Sequence, residues 1–275
     1  MAQENSLPSQ NAVSADPPQI PTSALGGMEN WEATVAWTLV PERVTWRLRG
    51  PQGEVRYLKV SRLGQDLHLA DERERLAWAA IRLPVPRVLD FGADDEYEWL
   101  LTAGLAGVNA LNDRLRADPR RLVPLLGEGL RRFHSVPVGD CPFDSRLDGA
   151  LRIAQQRVAA GLVDAEQDLH RDHGELTAEA ALARLAELQP EAEDLVVCHG
   201  DFCLPNVLLS DGHVSGYVDL GSLGVADRWW DLAVATWSVT WNLGPGWEDL
   251  FLEGYGIGWD HQKAAFYRLL YDLSP

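Results

Sequence analysis

His199-Gly200-Asp201-Phe202-Cys203-Leu204-Pro205-Asn206 and, further on, Val218-Asp219-Leu220-Gly221 decide how this chain is to be read. They supply an acid, an amide five positions later and a second acid thirteen positions beyond that. Each lies beside an apolar stretch. Leu195-Val196-Val197-Cys198 predicts a buried strand running into Asp201. Val207-Leu208-Leu209 and Val214-Ser215-Gly216-Tyr217-Val218 flank Ser210-Asp211-Gly212-His213, which predicts a hairpin whose second strand delivers Asp219. Asp201, Asn206 and Asp219 are therefore expected together at one end of a small sheet. Taken singly they are a cap, a loop amide and a turn acid, all common. In this order they meet the needs of phosphoryl transfer. One carboxylate can orient a hydroxyl, and an amide plus a carboxylate are hard oxygen ligands for Mg²⁺.

Upstream, Thr45-Trp46-Arg47-Leu48-Arg49 and Glu54-Val55-Arg56-Tyr57-Leu58-Lys59-Val60 alternate around a Gly/Pro turn, which predicts another hairpin. Lys59 is one of two lysines among 24 basic residues, kept at the end of a strand where arginine is otherwise used. An ammonium acting as a point charge on phosphate oxygens suits that place. Residues 65–81 predict a helix with Leu69, Leu76 and Leu83 on one side, and Glu72 falls on that side. Glu74 is the competing acid, on a stripe with Asp71 and Trp78. Residues 122–134, 147–162 and 178–188 read as further helices. The run 163–175 reads as an acidic irregular loop holding Asp164, Glu166 and Asp168, and such a run is usually a solvated face. No G-x-x-x-x-G-K-[ST] or G-x-G-x-x-G motif occurs, which excludes a Walker-type phosphate loop.

The H-G-D-x4-N segment, the hairpin ending in V-D-L-G, Gly224-Val225-Ala226-Asp227-Arg228, Asp231-Leu232-Ala233 and the closing Ala265-Phe266-Tyr267-Arg268-Leu269-Leu270 resemble the aminoglycoside phosphotransferase family. Within it they are most similar to the aminoglycoside 3′-phosphotransferases. The resemblance spans about residues 30–272 and is densest from Asp194 onward. It implies an α+β, two-lobed, protein-kinase-like fold, with a small N-terminal sheet lobe and a larger, mainly helical C-terminal lobe. The expected division is a disordered tail over 1–27, a nucleotide-binding lobe and hinge over 28–103, and a catalytic and substrate-binding lobe over 104–275. It further implies transfer of the γ-phosphoryl of ATP or GTP to a hydroxyl, the 3′ one, of an aminoglycoside antibiotic.

The same resemblance implies roles. Asp201 would orient the attacking hydroxyl and accept its proton, and Asn206 and Asp219 would be the Mg²⁺ ligands. Lys59 paired with Glu72, and the strand-to-hinge residues Thr102 and Ala103, would hold the nucleotide. Asp164, Glu166, Asp168 and Asp272 would bind substrate, while His199 and Asp231 brace the catalytic loop. Three departures stand out. Pro41 takes the place of a phosphate-loop serine. Trp237-Ser238-Val239-Thr240-Trp241-Asn242 replaces a charged segment, so Trp237 either packs or stacks on substrate. Leu273-Ser274-Pro275 replaces an aromatic end. Two alternatives are another hydroxyl acceptor (a peptide antibiotic, macrolide or amino alcohol) and a catalytically silent nucleotide-binding module. The silent module would usually lack one of Lys59, Asp201, Asn206 and Asp219.

The bulk numbers agree. At 275 residues the chain has ample length for a core. A net charge of −17 disfavours nucleic acid or an anionic membrane and favours a cationic small ligand. Cys141, Cys198 and Cys203 lack zinc or redox spacing. The N-terminus has no apolar secretory core, which points to the cytoplasm and leaves Met28 as an alternative start. A monomer or weak dimer is expected.

Overall fold

The computed structural model describes residues 20–28, 30–40, 43–64, 68–165, 168–174 and 176–274. Two compact units emerge, residues 1–107 with 215–221 and residues 108–214 with 222–275. The chain thus re-enters the first unit late, a return that the simple division at residue 103 does not contain.

The first unit is built on an antiparallel sheet of β1 (Glu32–Val40), β2 (Arg43–Arg49), β3 (Val55–Arg62), β4 (Val88–Ala93) and β5 (Tyr97–Ala103), in the order β1-β2-β3-β5-β4. Alternation in β2 and β3 sends Leu48, Leu58 and Val60 inward to a core shared with Trp99 and Leu101. Helix α1 (Leu69–Ala79) packs on β4 and β5 through Leu69, Leu76 and Ala79. Strand β1 was not evident from the sequence: Val35 and Trp37 are largely exposed on this edge strand, so no buried face marks it. The expected tail over 1–27 is corrected for its last residues. Thr22–Leu25 forms a 3-10 turn, and Ala24 and Met28, 2% and 3% exposed, join the core cluster. Burying these apolar side chains, with Ile20 and Trp31 beside them, offsets the ordering cost of a proline-dotted segment.

The second unit carries β6 (Val108–Asn109), α2 (Asp113–Arg116), α3 (Pro119–Phe133), α4 (Leu147–Ala159) and α5 (Ala178–Leu188). Then come β7 (Leu195–Cys198), β8 (Val207–Ser210), β9 (His213–Tyr217), which passes into the first unit at Ser215, β10 (Gly224–Asp227), α6 (Trp229–Leu243), α7 (Glu248–Tyr255) and α8 (His261–Leu273). Helix α6 is apolar nearly all round and buried along most of its length, as a central helix must be. Helix α8 packs on α4, α5 and α6, and α3 on α7. The α3–α7 crossing is close because Gly127 faces Gly254: a Cβ on Gly127 would lie 2.3 Å from the Phe251 carbonyl oxygen, and one on Gly254 would lie 2.6 Å from that of Pro124. The hairpin of β8 and β9 turns through Asp211 and Gly212 at φ 52° and 80°, the left-handed pair a two-residue turn demands.

One expectation is corrected here. The strand before Asp201 and the hairpin before Asp219 do not share a sheet. β7 pairs antiparallel with β10, whereas β8 lies between β6 and β9. β10 is only four residues, Gly-Val-Ala-Asp, too short to be recognised before its partner is known.

Candidate active site

In the first unit, Lys59 stands mid-strand in β3, opposite Thr45 on β2 and Leu100 on β5. Its Nζ lies 2.8 Å from both carboxylate oxygens of Glu72 and 2.7 Å from Oδ1 of Asp219. Glu72 is 6% exposed, on the inward side of α1, and Glu74 is a solvent-facing acid paired with Arg73. The ambiguity between the two acids ends there. Burial alone would lower the Lys59 pKa, but the Asp219 and Glu72 carboxylates raise it well above its ordinary value, so the ammonium stays charged. Burial pushes Glu72 up, and the Lys59 contact opposes that. Asp219 follows β9 at φ 62°, in the left-handed region that aspartate tolerates better than most residues. Its side chain is 42% exposed. Gly221, two residues on, sits against Glu72: a Cβ there would lie 3.9 Å from that of the acid.

This pairing carries a prediction. Lys59→Ala and Glu72→Gln should each raise KM for the nucleotide, Lys59→Ala more. The double variant should fall short of additivity by about 0.5–3 kcal/mol, as groups in one network do. Lys59→Ala should also lower the thermal midpoint, since it strands a buried carboxylate at a cost of about 3–5 kcal/mol. Strict additivity in steady-state kinetics would separate Glu72 from the lysine.

Other first-unit residues sit as follows. Thr102 pairs with Tyr57 and donates its hydroxyl to the Tyr57 carbonyl at 3.4 Å. The N–H of Ala103 donates to the Arg87 carbonyl, and that of Gly104 to Val55, both at 2.9 Å. The donors at the end of β5 are therefore used by the fold. Pro41 lies outside the described residues.

In the second unit the catalytic-type loop leaves β7 at Cys198. His199 is fully buried, and Asp231, also fully buried at the start of α6, accepts the N–H groups of His199 at 2.6 Å and Gly200 at 2.8 Å. The same carboxylate meets Nε2 of His134 at 3.0 Å, and Nδ1 of His134 meets Tyr255. The indole of Trp230 donates to the Gly200 carbonyl, and the Asp201 N–H donates to Nδ1 of His199 at 3.3 Å. Gly200 must be glycine: φ is +87°, and a Cβ would stand 2.3 Å from the Ser222 carbonyl oxygen. His134 escaped the sequence reading because it lies 97 positions from Asp231, at the C-cap of a helix whose pattern reports only core packing.

Asp201 is thereby fixed at its backbone. Its Oδ2 accepts from Nδ2 of Asn206 at 2.9 Å, and its Oδ1 accepts from the Tyr271 hydroxyl at 3.0 Å. Asn206 also donates to the Asp201 carbonyl at 3.0 Å. An amide turned this way keeps its oxygen as the ligating atom. A carboxamide oxygen is a hard donor of the kind a small divalent cation takes, and so is the Asp219 carboxylate of the first unit, so the chemistry of each donor fits Mg²⁺. Among the described residues, His134, Cys198 and Asp231 also bring ligand atoms close together. Their hydrogen bonds, including that of the Cys198 thiol to the Asp227 carbonyl, make them a structural network, and burial pushes the thiol pKa up.

The loop expected to meet substrate is anchored from within. The Asp164 N–H donates to Asp168 at 2.8 Å, and Glu166 lies outside the described residues. Asp272, with its side chain 7% exposed, accepts the His170 N–H at 2.7 Å and lies 3.2 Å from Nε2 of His173. Its carboxylate pins the loop rather than facing open solvent. Trp237, 1% exposed, donates its indole N–H to Asp172. Its ring is packed against His170, Trp241 and Arg268 at 4.6, 5.2 and 5.2 Å between centres. Of the two readings of Trp237, packing is the one observed.

A lysine clamped by two acids, and a braced acid with an amide five residues on, define a kinase-like phosphotransferase. The profile of the Phosphotransferase enzyme family matches residues 42–267, and the chain belongs to that family. It is 43% identical to an aminoglycoside 3′-phosphotransferase of Streptomyces fradiae, over 74% of this chain and 78% of the relative. The crystal structure of an aminoglycoside-3′-phosphotransferase of type VIII superposes with a TM-score of 0.81 at 35% identity, covering 91% and 98% of the two chains. An aminoglycoside phosphotransferase, APH(3″)-Id of Streptomyces rimosus, in complex with ADP and streptomycin, superposes at 0.72 with 32% identity, covering 90% and 94%.

Proposed function

We propose that this enzyme moves the γ-phosphoryl group of ATP to the 3′-hydroxyl of an aminoglycoside antibiotic. The arrangement of Asp201, held between Asn206 and Tyr271, is the observation that carries the reading. The 3′-phosphotransferase of Streptomyces fradiae supports the acceptor and the position. The ADP and streptomycin complex of the Streptomyces rimosus relative supports a nucleotide donor and an aminoglycoside acceptor.

In this reading Lys59, held by Glu72, binds the α- and β-phosphates as a fixed positive charge. Asn206 and Asp219 would hold Mg²⁺, which when bound neutralises charge on the phosphate oxygens. Asp201 orients the acceptor hydroxyl and receives its proton as the phosphoryl group leaves the nucleotide. The transition state is loose, so orientation matters more than basicity. Asp231 and His199 keep the loop in register. A location in the cytoplasm, where ATP is found, and action as a monomer or weak dimer without nucleic acid or membrane belong to the same reading. Among the described residues, no helix is long and apolar enough to cross a membrane.

The acceptor would be recognised by charge. Asp164, Glu166 and Asp168 would meet its ammonium groups, and Asp272 would act by holding their loop through His170 and His173. Neutralising the first three should raise KM for kanamycin-type acceptors several-fold and leave KM for ATP alone. Added salt should weaken acceptor binding in wild type and much less in the variant. An ATPase-coupled screen of aminoglycosides, with product position read by NMR, tests the function. Turnover only on neutral acceptors, or a salt-independent KM, would favour another hydroxyl substrate.

A further inference from the structure

Two donors from different parts of the second unit converge on one carboxylate. Asn206 donates to Oδ2 of Asp201, and the phenol of Tyr271, in the last turn of α8, donates to Oδ1 at 3.0 Å. We propose that Tyr271 is a positioning residue of the transfer reaction, setting the rotation of the Asp201 carboxylate about its Cβ–Cγ bond. The proposal rests on the reading of Asp201 as the group that takes the acceptor proton.

The reason lies in the torsion itself. The terminal torsion of aspartate joins an sp³ to an sp² carbon and has a broad, roughly two-fold profile, so the side chain does not fix it alone. One hydrogen bond leaves the carboxylate free to pivot about the bonded oxygen, whereas two, one per oxygen, define its plane. A carboxylate oxygen can accept more than one hydrogen bond, so the group that accepts from Asn206 and Tyr271 can also accept from an acceptor hydroxyl. The plane held by Asn206 and Tyr271 then sets the direction from which that hydroxyl approaches.

Helix α8 is suited to this task. Its core side is Leu269, Leu270 and Leu273, all buried, which anchors the last turn. Tyr271 and Asp272 leave that turn toward two loops, the phenol to Asp201 and the carboxylate to the segment of His170 and His173. The Asp201 carboxylate, then burial, then the Cys203 thiol and Asp272 push the Tyr271 pKa well above that of an ordinary phenol. The hydroxyl therefore stays protonated and remains a donor at any working pH.

Tyr271→Phe keeps the ring and removes only the donor. Kcat should fall about 10-fold, the size of losing one hydrogen bond to a charged group, with KM for ATP unchanged. Asp201→Asn combined with Tyr271→Phe should be no slower than Asp201→Asn alone, because the phenol acts only through the carboxylate. Kcat within twofold of wild type in Tyr271→Phe, or additive losses in the cycle, would overturn the proposal. Should Tyr271→Phe fold poorly, 3-fluorotyrosine at position 271 carries the test. It keeps ring and hydroxyl but donates more strongly, so kcat should change by twofold or more at constant KM for ATP, and an unchanged kcat overturns the proposal. Wild-type turnover by Asp201→Asn would instead remove the reading of Asp201 on which this rests.

Discussion

Asp201→Asn will fold and bind nucleotide like wild type while kcat falls on the order of 10²–10⁴-fold, the range for removal of a positioned proton acceptor. The surroundings of Asp201 explain why this substitution isolates chemistry. Oδ2 accepts from an amide that can only donate there, so the new side chain must turn its oxygen to Asn206. Its NH₂ group then faces Tyr271, whose hydroxyl can rotate and accept. Both bonds survive, and so does the backbone brace through His199, Gly200 and Asp231. What is lost is a carboxylate able to orient and deprotonate the acceptor hydroxyl. Single-turnover kinetics beside calorimetric titration of nucleotide will separate the two effects. Unimpaired phosphoryl transfer would mean that the acceptor needs no carboxylate here.

Much of this was legible along the chain, for identifiable reasons. Lys59 was readable because β-alternation and its rarity mark it, and Glu72 because a helical stripe places it with Leu69 and Leu76. What stayed hidden depends on contacts that no local pattern encodes. Tyr271 meets Asp201 across 70 positions, and its neighbours in α8 report only an apolar helix side. Asp272 was read as a residue facing substrate because the resembling family carries an acid there, and no local pattern reports the His170 N–H that its carboxylate accepts. Trp237 was ambiguous for a related reason. An indole can stack on a ligand or on Arg268 and His170, and only the fold decides. The packing of Ala24 and Met28 was masked by a composition that reads as a tail.

Asp219→Asn is the second decisive substitution, and it should damage a different step. Asparagine accepts the left-handed backbone at φ 62° as readily as aspartate, whereas alanine would add strain of its own. The side chain keeps its shape and an oxygen for Lys59 at 2.7 Å, and Glu72 still holds that lysine through both oxygens. The change is the loss of one negative charge where a divalent cation would be held. Affinity for Mg·ATP should therefore drop, while affinity for ATP measured without Mg²⁺ should hold or rise, because a carboxylate that repels phosphate has gone. Kcat/KM for ATP should fall about 10²-fold or more, the usual loss when one fixed electrostatic contact to the transferring group is removed. Raising Mg²⁺ should recover part of it. Calorimetric titrations with and without the metal read the two affinities directly. Equal binding of Mg·ATP by wild type and Asp219→Asn would leave Asp219 as a partner of Lys59 alone, and the metal would have to be held elsewhere.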